Sequence, residues 1–551
     1  GVQSTELRFM KGTTENQLKP FRNKVILWAL LPIMVFLVGI SLFHFQEYSV
    51  QGFPLDDAWI HRVYARSLAS GQGFAYNPGR QETGATSPLW AIATAPIHWL
   101  EFMGTEAIVF LTKLFGVILG LVIILGLYTL LLHLTRSPVA AAVAASLMSL
   151  SPRLLFSSLS GMENNLLVAL LTLASLSLLY HRHILFIVFM SLVPVTRPET
   201  LVLLPLCLMG LIPIIRSKKA VWLKIFSWII PAIPFGLWVI FCKITTGYPL
   251  PATFYAKAHP FALDTTEMMV GFMIVHQFPL LAPAFLWTAV VTAIALLILF
   301  HGRRALPVLA FYPVVPFIYF LAVCGSRDMH LVGYYWTRWL DPASFMFTMT
   351  ACLGIGLLVH LAFKGSKEPV PRNVPKDQHS NDQKPVPLLN RINPKIRVGV
   401  SIALIAVILL PSIPTFTGSW TERRSRLDTD TSVIERMNVT MGIWLSEYTD
   451  PNDKLGAIDA GAIRYFSNRH VIDLMGLNNK DIAFGKINKF NAARQADWQI
   501  IFPILFMKMN LLEKITEGYF RRYQVHVPKE EYTVSDAVDQ TVMGAYQRIE
   551  E

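Results

Sequence analysis

The segment KVILWALLPIMVFLVGISLFHF, Lys24–Phe45, decides the class of fold to which this chain belongs. After Lys24 it contains no acidic residue, lysine or arginine, and it is as long as the roughly 20 residues with which an α-helix crosses a bilayer. It is too long for the apolar part of a signal peptide and lacks a small-residue cleavage pattern. We therefore predict a membrane span that the mature protein retains.

The rest of the chain repeats this apolar pattern. Its 551 residues are 53% hydrophobic and 15% charged, with a mean hydropathy of +0.45. The predicted spans are residues 24–45, 106–134, 137–155, 164–180, 184–197, 200–215, 223–242, 280–300, 305–324, 342–363 and 398–414. Two further apolar runs, 88–103 and 268–279, are interpreted as interfacial or half-inserted helices. The sequence thus predicts a polytopic α-helical membrane protein with about eleven spans.

Lysine and arginine are distributed unevenly between the predicted loops, and this distribution predicts the orientation of the chain. The N-terminal arm up to Lys24 and the segments 216–224, 303–304 and 364–397 are rich in these residues. All of them fall on one side if the N-terminus is cytoplasmic, and an odd number of spans then places the C-terminus outside. This topology explains most of the net charge of +12, so we expect no nucleic-acid partner.

The chain is predicted to contain two domains. Residues 1–414 form the transmembrane domain, with a first outer loop, 46–104, and a flexible, Pro-rich cytoplasmic linker, 364–397. Residues 415–551 form a soluble domain on the outer side. There the stretch KLGAIDAGAIRYFSNRHVIDLMG, Lys454–Gly476, alternates short apolar strands with a helix-like turn, which is typical of a small α/β layer.

The first outer loop places two adjacent carboxylates beside the membrane. Residues Asp56–Ala69 have the pattern of a short amphipathic helix, which the sequence SGQG ends, and we expect this helix to lie in the interface plane. Neighbouring side chains on a helix diverge by about 100°, so Asp56 and Asp57 are expected to have different roles. A simple N-cap is the alternative role for either of them.

Two arginines, Arg62 and Arg66, follow the aspartates and lie one turn apart on the same face. A carboxylate at a low-dielectric boundary can act as a general base toward a hydroxyl, and arginine suits a phosphate by charge and by its forked geometry. The alternative is that these arginines extend to lipid headgroups. The combination of base and arginines indicates group transfer from a lipid-anchored phosphate.

Several short motifs occur in an order that resembles bacterial GT-C glycosyltransferases. They are DDAWIHRVYARSLASGQGFAYNPG (Asp56–Gly79), SGMEN (Ser160–Asn164), TRPE (Thr196–Glu199), PATFYAKA (Pro251–Ala258) and DAGAIRYFSNRHVIDLMGLNN (Asp459–Asn479). The chain is most similar to the terminal arabinofuranosyltransferases of cell-wall assembly, which use a polyprenyl-phosphate sugar. It has ETGATSPLW (Glu82–Trp90) where the family often has EGYTNPLW, and the identity of the transferred sugar stays open.

The resemblance implies a bacterial cytoplasmic membrane enzyme of the GT-C type. It would transfer a sugar from a polyprenyl-phosphate donor to a hydroxyl of a cell-envelope glycan or lipid-linked acceptor. Family members commonly use an aspartate of the first loop, which we assign as Asp56 acting as general base, with Asp57 as the second choice or as the residue that orients it. Some family members need a divalent cation, and Asp57 with His61 could supply two ligands, so a metal is left open.

Further residues are assigned to the substrates. The predicted donor-phosphate ligands are Arg62, Arg66, Arg197, Lys257, His259 and Arg338. The predicted acceptor or sugar ligands are Glu163, Tyr255, Tyr335 and Trp336.

Each of these assignments has a structural alternative. The alternative for Arg197 is a structural pair with Glu199, and the alternative for Glu163 is a carboxylate at a helix N-terminus, which the helix dipole favours. The stretch YYWTRW, Tyr334–Trp339, has the composition of an interfacial aromatic belt.

Two other classes of membrane protein are weighed against an enzyme. A secondary transporter should show broken helices near the midplane and symmetry between its halves, whereas this chain gathers its ionisable groups in outer loops. A non-catalytic glycan-binding scaffold would use the external domain, where Asp459, Arg464 and Asp473 are candidate ligands.

Overall fold

The computed structural model describes residues 2–216, 221–257, 283–301, 305–326, 338–363, 393–501, 519–528 and 540–549. Most of the predicted linker 364–397 and the apolar run 268–279 therefore lie outside the described residues.

The described part of the chain is mainly helical. Its α-helices, numbered α1–α22 in chain order, are Val2–His44, Asp56–Ala69, Pro88–Thr94, Thr105–Thr135, Pro138–Ser149, Pro152–Leu159, Asn164–Leu179, His183–Thr196, Leu208–Arg216, Val221–Ile229, Ile233–Thr246, Ala252–Lys257, Pro283–His301, Leu306–Leu309, Val315–Ser326, Asp341–Phe363, Pro394–Leu409, Ser412–Ile434, Thr440–Tyr448, Ala462–Ser467, Lys480–Ala483 and Lys489–Ala493. Short 3₁₀ segments cover Ala95–Met103, Pro198–Cys207, Ile230–Ala232 and Arg338–Leu340, and π-helical turns cover Ala310–Val314 and Glu435–Val439.

Six helical segments among the described residues are long and apolar enough to cross a membrane. They are Asn23–His44, Thr105–Thr135, Pro198–Arg216, Lys224–Thr246, Leu306–Val323 and Arg338–Phe363. Two bent pairs, α5 with α6 and α17 with the helical run to Tyr448, raise the number to eight if each counts as one span. Three shorter apolar helices, Asn164–Leu179, His183–Thr196 and Trp287–Leu299, accompany them. Our count of about eleven spans stays a prediction.

Helix α16, Asp341–Phe363, lies at the centre of the helical bundle and is buried along nearly its whole length. Gly354 allows a close approach to α13, because a Cβ atom there would lie 2.6 Å from the carbonyl oxygen of Ala289. At the first residue of α16, Asp341 forms a buried ion pair with Arg153 of α6. The pair fixes one end of the bundle beside the site described below.

A five-stranded mixed sheet follows the last apolar helices. Its strands are Lys454–Ala457 (β3), His470–Asp473 (β4), Trp498–Ile501 (β5), Tyr519–Pro528 (β6) and Gln540–Arg548 (β7), in the order β4-β3-β5-β7-β6. Strand β3 is parallel to β4 and β5, and β7 is antiparallel to β5 and β6. The short helix α20 connects β3 to β4, so the α/β pattern expected at Lys454–Gly476 is present. The division at residue 414 stays a prediction.

The first outer loop packs between the bundle and this sheet. Its helix α2 covers Asp56–Ala69, the range that the sequence predicts, and β1 (Ala75–Asn77) and β2 (Arg80–Gln81) form a hairpin after it. The protein encloses α2 on nearly all sides, and its predicted position in the interface plane stays a prediction. Trp59 of α2 contacts Tyr465 and Phe466 of α20, with ring centroids 4.9 and 4.8 Å apart. This packing buries apolar surface that would otherwise face lipid or water.

Candidate active site

A cavity of about 330 Å³ opens where α2, α7, the segment after α8, α12 and the segment before α16 meet. Its charged lining residues are Asp57, Glu163, Arg197, Glu199 and Arg338. The remaining wall is mostly apolar and includes Phe254 and Trp339. Ionisable side chains in a partly apolar cavity are typical of a ligand or catalytic site.

Asp57 faces this cavity because it is the second residue of α2. Its Oδ2 atom accepts a hydrogen bond of 2.7 Å from Nη2 of Arg338, and 15% of the Asp57 side chain is exposed. The Arg338 guanidinium also lies 5.4 Å from the ring centroid of Trp339. One aspartate and one predicted phosphate ligand thus form an ion pair within the cavity.

Arg197 is the centre of a second charged group in the same cavity. Its Nη1 atom donates to Glu163 Oε1 at 3.1 Å and to Asn164 Oδ1 at 2.9 Å, and its Nη2 atom lies 3.7 Å from Glu199. Behind Glu163, Nε2 of His61 is 3.5 Å from the second carboxylate oxygen. The sequence suggested Glu163 and Arg197 separately, and the structure joins them.

The electrostatics of Glu163 follow from these neighbours. Burial raises the pKa of its carboxyl group, but the hydrogen bond from His61 and the charge of Arg197 outweigh burial. The net effect lowers the pKa to about 2. Glu163 is therefore ionised at neutral pH, and it holds the Arg197 guanidinium as an anion rather than acting as an acid.

Asp56, the residue predicted to be the general base, turns away from the cavity. Its carboxylate accepts hydrogen bonds from the backbone amides of Gly461 at 2.7 Å and Ala462 at 2.8 Å, and from the side chain of Asn438 at 3.2 Å. The Asp56 side chain therefore caps α20 from a distant part of the sequence. Its oxygens are already engaged, so Asp56 is poorly suited to take a proton from a substrate.

Asp459 lies close to Asp56 and Asp57. Burial raises the pKa of Asp56 to about 6, against the opposing hydrogen bonds from Ala462 and Gly461. Burial, followed by the charges of Asp56, Asp57 and Asp473, raises the pKa of Asp459 to about 7. These carboxyl groups thus titrate close to neutral pH.

Gly461 provides the space for the cap made by Asp56. Its backbone torsion φ is −78°, which any residue can adopt, but a Cβ atom there would overlap the backbone oxygen and carboxylate of Asp56. We expect Gly461→Ala to lower the free energy of unfolding by about 1–3 kcal/mol, because Asp56 and the start of α20 must move apart to make room for the methyl group. Thermal unfolding of the purified protein measures this change.

Gly418→Ala is the matched control for Gly461→Ala. Gly418 lies within α18 and has no neighbouring atom within 4 Å of an added Cβ, so alanine there should be neutral or slightly stabilising. Equal midpoints for both variants would show that the contact between Asp56 and α20 contributes little to stability.

The two arginines of α2 also have structural partners outside the cavity lining. Arg62 is fully buried and donates to the hydroxyl groups of Thr94 and Thr112. Arg66 donates to the carbonyl oxygen of Tyr465 at 3.2 Å and lies over its ring at 4.3 Å. These contacts engage both guanidinium groups, and the assignment of Arg62 and Arg66 as donor-phosphate ligands stays a prediction.

Of the other predicted ligands, the structure describes the side chain of Tyr255. Tyr255 belongs to α12 and contacts Phe484, with ring centroids 5.0 Å apart, whereas its neighbours Thr253 and Phe254 line the cavity. Lys257 ends α12, and its side chain is outside what the structure describes. His259, Tyr335 and Trp336 lie outside the described residues.

Some cavity residues were not singled out as ligands from the sequence. Asn164 and Glu199 end the motifs SGMEN and TRPE. The motifs therefore contained these cavity residues, but only Glu163 and Arg197 were assigned as ligands. Within the described ranges, no group of three or more His, Cys, Asp or Glu residues is arranged to hold a metal ion. His61 contacts Glu163, and the expected metal pair with Asp57 stays a prediction.

Comparison with known proteins identifies the fold. Residues 430–542 match a family model described as a domain of unknown function, DUF8728. No curated protein matches the chain. ArnT from Cupriavidus metallidurans bound to undecaprenyl phosphate has a TM-score of 0.51 and 11% sequence identity, and the match covers 94% of this chain and 97% of ArnT.

The apo structure of the same ArnT matches with the same TM-score and coverage and 12% identity. At these identities the match concerns the fold alone. ArnT has the GT-C fold, so the GT-C fold predicted from the motifs is confirmed, while similarity to arabinofuranosyltransferases stays a prediction. This chain has the GT-C fold of a multi-pass helical membrane protein.

Proposed function

We propose that this protein transfers a sugar from a polyprenyl-phosphate donor to a hydroxyl of a cell-envelope glycan or lipid-linked acceptor. The observation that carries the proposal is the ion pair of Asp57 and Arg338 in the cavity that also contains Arg197. The fold adds support, since ArnT, which shares it, has been seen with undecaprenyl phosphate bound. We further propose the outer face of the bacterial cytoplasmic membrane as the location, with a cytoplasmic N-terminus and the C-terminal domain outside.

Asp57 is the general base in this proposal. The acceptor hydroxyl gives its proton to the Asp57 carboxylate while its oxygen bonds to the anomeric carbon of the donor sugar. The bond from that carbon to the phosphate oxygen breaks, and polyprenyl phosphate leaves with the electron pair. In the free protein Arg338 donates a hydrogen bond to Asp57, so this cation is held directly beside the proposed base.

Arg338 couples donor binding to the activation of Asp57. When the donor phosphate enters, the guanidinium turns toward the phosphate oxygens, because a charge-assisted forked contact with phosphate can replace the contact with carboxylate. Asp57 then loses its contact with Arg338 and can accept the proton of the acceptor hydroxyl in the presence of the leaving group. Binding of the phosphate thereby prepares the base that the reaction needs.

The charge of the cavity defines what else the phosphate requires. Its described lining contains three carboxylates, Asp57, Glu163 and Glu199, beside the two arginines. A phosphate therefore needs further positive charge, and we propose Lys257 at the end of α12, together with His259, as its source. A divalent cation is the other possible source of positive charge.

The acceptor and sugar side is proposed to involve Glu163, Tyr255, Tyr335 and Trp336. Arabinofuranose as the transferred sugar rests only on the motif resemblance to arabinofuranosyltransferases. Aromatic faces and carboxylates are suited to binding a sugar ring, through stacking and through hydrogen bonds to its hydroxyls.

A donor panel tests the proposed function. Purified protein is incubated with polyprenyl phosphates that carry arabinofuranose, aminoarabinose, mannose or glucose, and release of polyprenyl phosphate is measured with and without EDTA. We expect release from at least one donor, at a rate that depends on an added cell-envelope glycan or lipid acceptor. Equal release by the wild type and by an Arg338→Ala/Arg197→Ala variant that remains folded would contradict the proposal.

A further inference from the structure

A second cavity, of about 390 Å³, lies between the first outer loop and the C-terminal sheet. The loop contributes Asn77, Arg80 and Glu82, and the opposite wall comes from β3, β4 and residues 478–495. None of its lining residues lines the candidate active site. The cavity is thus a separate place where a ligand would contact both parts of the chain at once.

The walls of this cavity are fixed by polar contacts across the junction. The Asn77 side chain accepts from the backbone amide of Val471 and donates to its carbonyl oxygen, both at 2.9 Å, and so continues the edge of β4. Arg80 pairs with Glu82 and with Asp481, each at 2.7 Å. A cavity held in this way is preorganised, so a ligand would not have to order its walls.

Two basic groups in the cavity lining are available to a ligand. In the part of the chain that the structure describes, neither Nζ of Lys454 nor the ring of His470 makes a side-chain hydrogen bond or ion pair. Burial lowers the pKa of His470, and the charges of Lys454, Arg80 and Arg464 lower it further. Three cations thus act on the position of the imidazole, and an anion there would be attracted by the same field.

We infer that this cavity binds an anionic saccharide, with Lys454 and His470 on its carboxylate or phosphate group. The volume is far larger than a simple inorganic anion needs. The amide groups of Asn479 and Gln495 in the lining are suited to the hydroxyls of a sugar. Lys454 and His470 are residues paired across neighbouring parallel strands β3 and β4, so both can reach one charged group.

The position of the cavity gives the saccharide a role, which rests on the proposed function. Glu82 lines this cavity and Thr86 lines the candidate active site. A chain of four residues spans at most about 14 Å, so these two lining residues are no farther apart than that. On this inference one oligosaccharide occupies both places, with its charged part held at Lys454 and an acceptor hydroxyl near Asp57.

Binding of defined saccharides to the full-length protein tests this inference. The probes are trigalacturonate, which is anionic, and galactotriose as its neutral counterpart, with inorganic phosphate to detect a site for any anion. We expect trigalacturonate to bind at least tenfold more tightly than galactotriose, because charge-assisted hydrogen bonds form only with the anionic probe. Its affinity should also fall as salt concentration rises.

Variants then locate the binding site. Lys454→Ala and His470→Ala should each weaken trigalacturonate binding about tenfold and leave galactotriose unchanged. Lys489→Ala, which removes an exposed lysine of α22 outside the cavity, is the matched control and should have no effect. Equal affinity for both trisaccharides, phosphate binding as tight as that of trigalacturonate, or full affinity in the Lys454→Ala/His470→Ala double variant would overturn the inference.

Donor turnover separates this inference from the proposed function. If the protein releases polyprenyl phosphate from a donor but does not bind trigalacturonate at Lys454 and His470, the inference alone fails. If it binds trigalacturonate there and turns over no donor, the saccharide site stands and the proposed function fails.

Discussion

Replacing Asp57 with asparagine is expected to slow the release of polyprenyl phosphate by about 10²–10⁴-fold, the usual contribution of a general base. Asparagine has nearly the same shape and can still accept a hydrogen bond from Arg338, but it cannot take a proton from the acceptor. Donor binding should therefore persist while turnover is lost. Single-turnover measurements at saturating donor separate these two quantities.

Substitutions at two other aspartates are the comparisons for Asp57→Asn. Asp450→Asn changes an exposed side chain far along the sequence from the cavity lining and should keep full turnover. Asp56→Asn replaces one oxygen of the cap on α20 with an amide donor, so we expect lower thermal stability and a smaller loss of turnover. A larger loss of turnover for Asp56→Asn than for Asp57→Asn, in protein of equal folded fraction, would return the role of base to Asp56.

Arg197→Ala is expected to lower the free energy of unfolding by about 3–5 kcal/mol, the usual cost of leaving a buried charge without its partner. Glu163 and Glu199 both lie against the guanidinium, with Glu163 ionised and buried. Their repulsion is no longer offset when the guanidinium is removed. The thermal midpoint in detergent, compared with the wild type, measures the loss.

A second substitution distinguishes this electrostatic cause from a loss of packing. In the Arg197→Ala background, Glu163→Gln removes one of the uncompensated charges, so the double variant should be more stable than Arg197→Ala alone. Arg216→Ala, at an exposed position at the end of α9, is the matched control and should leave the midpoint unchanged. A double variant less stable than Arg197→Ala would show that the cost lies in packing.

Local patterns predicted a substantial part of the fold. Residues Asp56–Ala69 have a helical pattern that ends at glycines, and α2 has these bounds. The alternation of strands and helix at Lys454–Gly476 also depends on neighbouring residues, and it is present as β3, α20 and β4. The GT-C fold followed from the order of short motifs along the chain.

The choice between Asp56 and Asp57 could not be made from the sequence. Adjacent residues on a helix point in different directions, and the direction of each depends on what packs against the helix. Here α20 covers the face with Asp56, although Gly461 is about 400 positions away in the chain. The burial of Arg62 against Thr94 and Thr112 depends on tertiary packing in the same way.

The cap made by Asp56 has a consequence for how this protein can evolve. Every described residue that lines the candidate active site precedes residue 340, yet the helix that carries Asp57 is anchored by amides from positions 461 and 462. A recombinant chimera that inherited the bundle from one relative and the sheet from another would need matching surfaces at this junction to preserve the geometry around Asp57. The two halves are therefore constrained to diverge together.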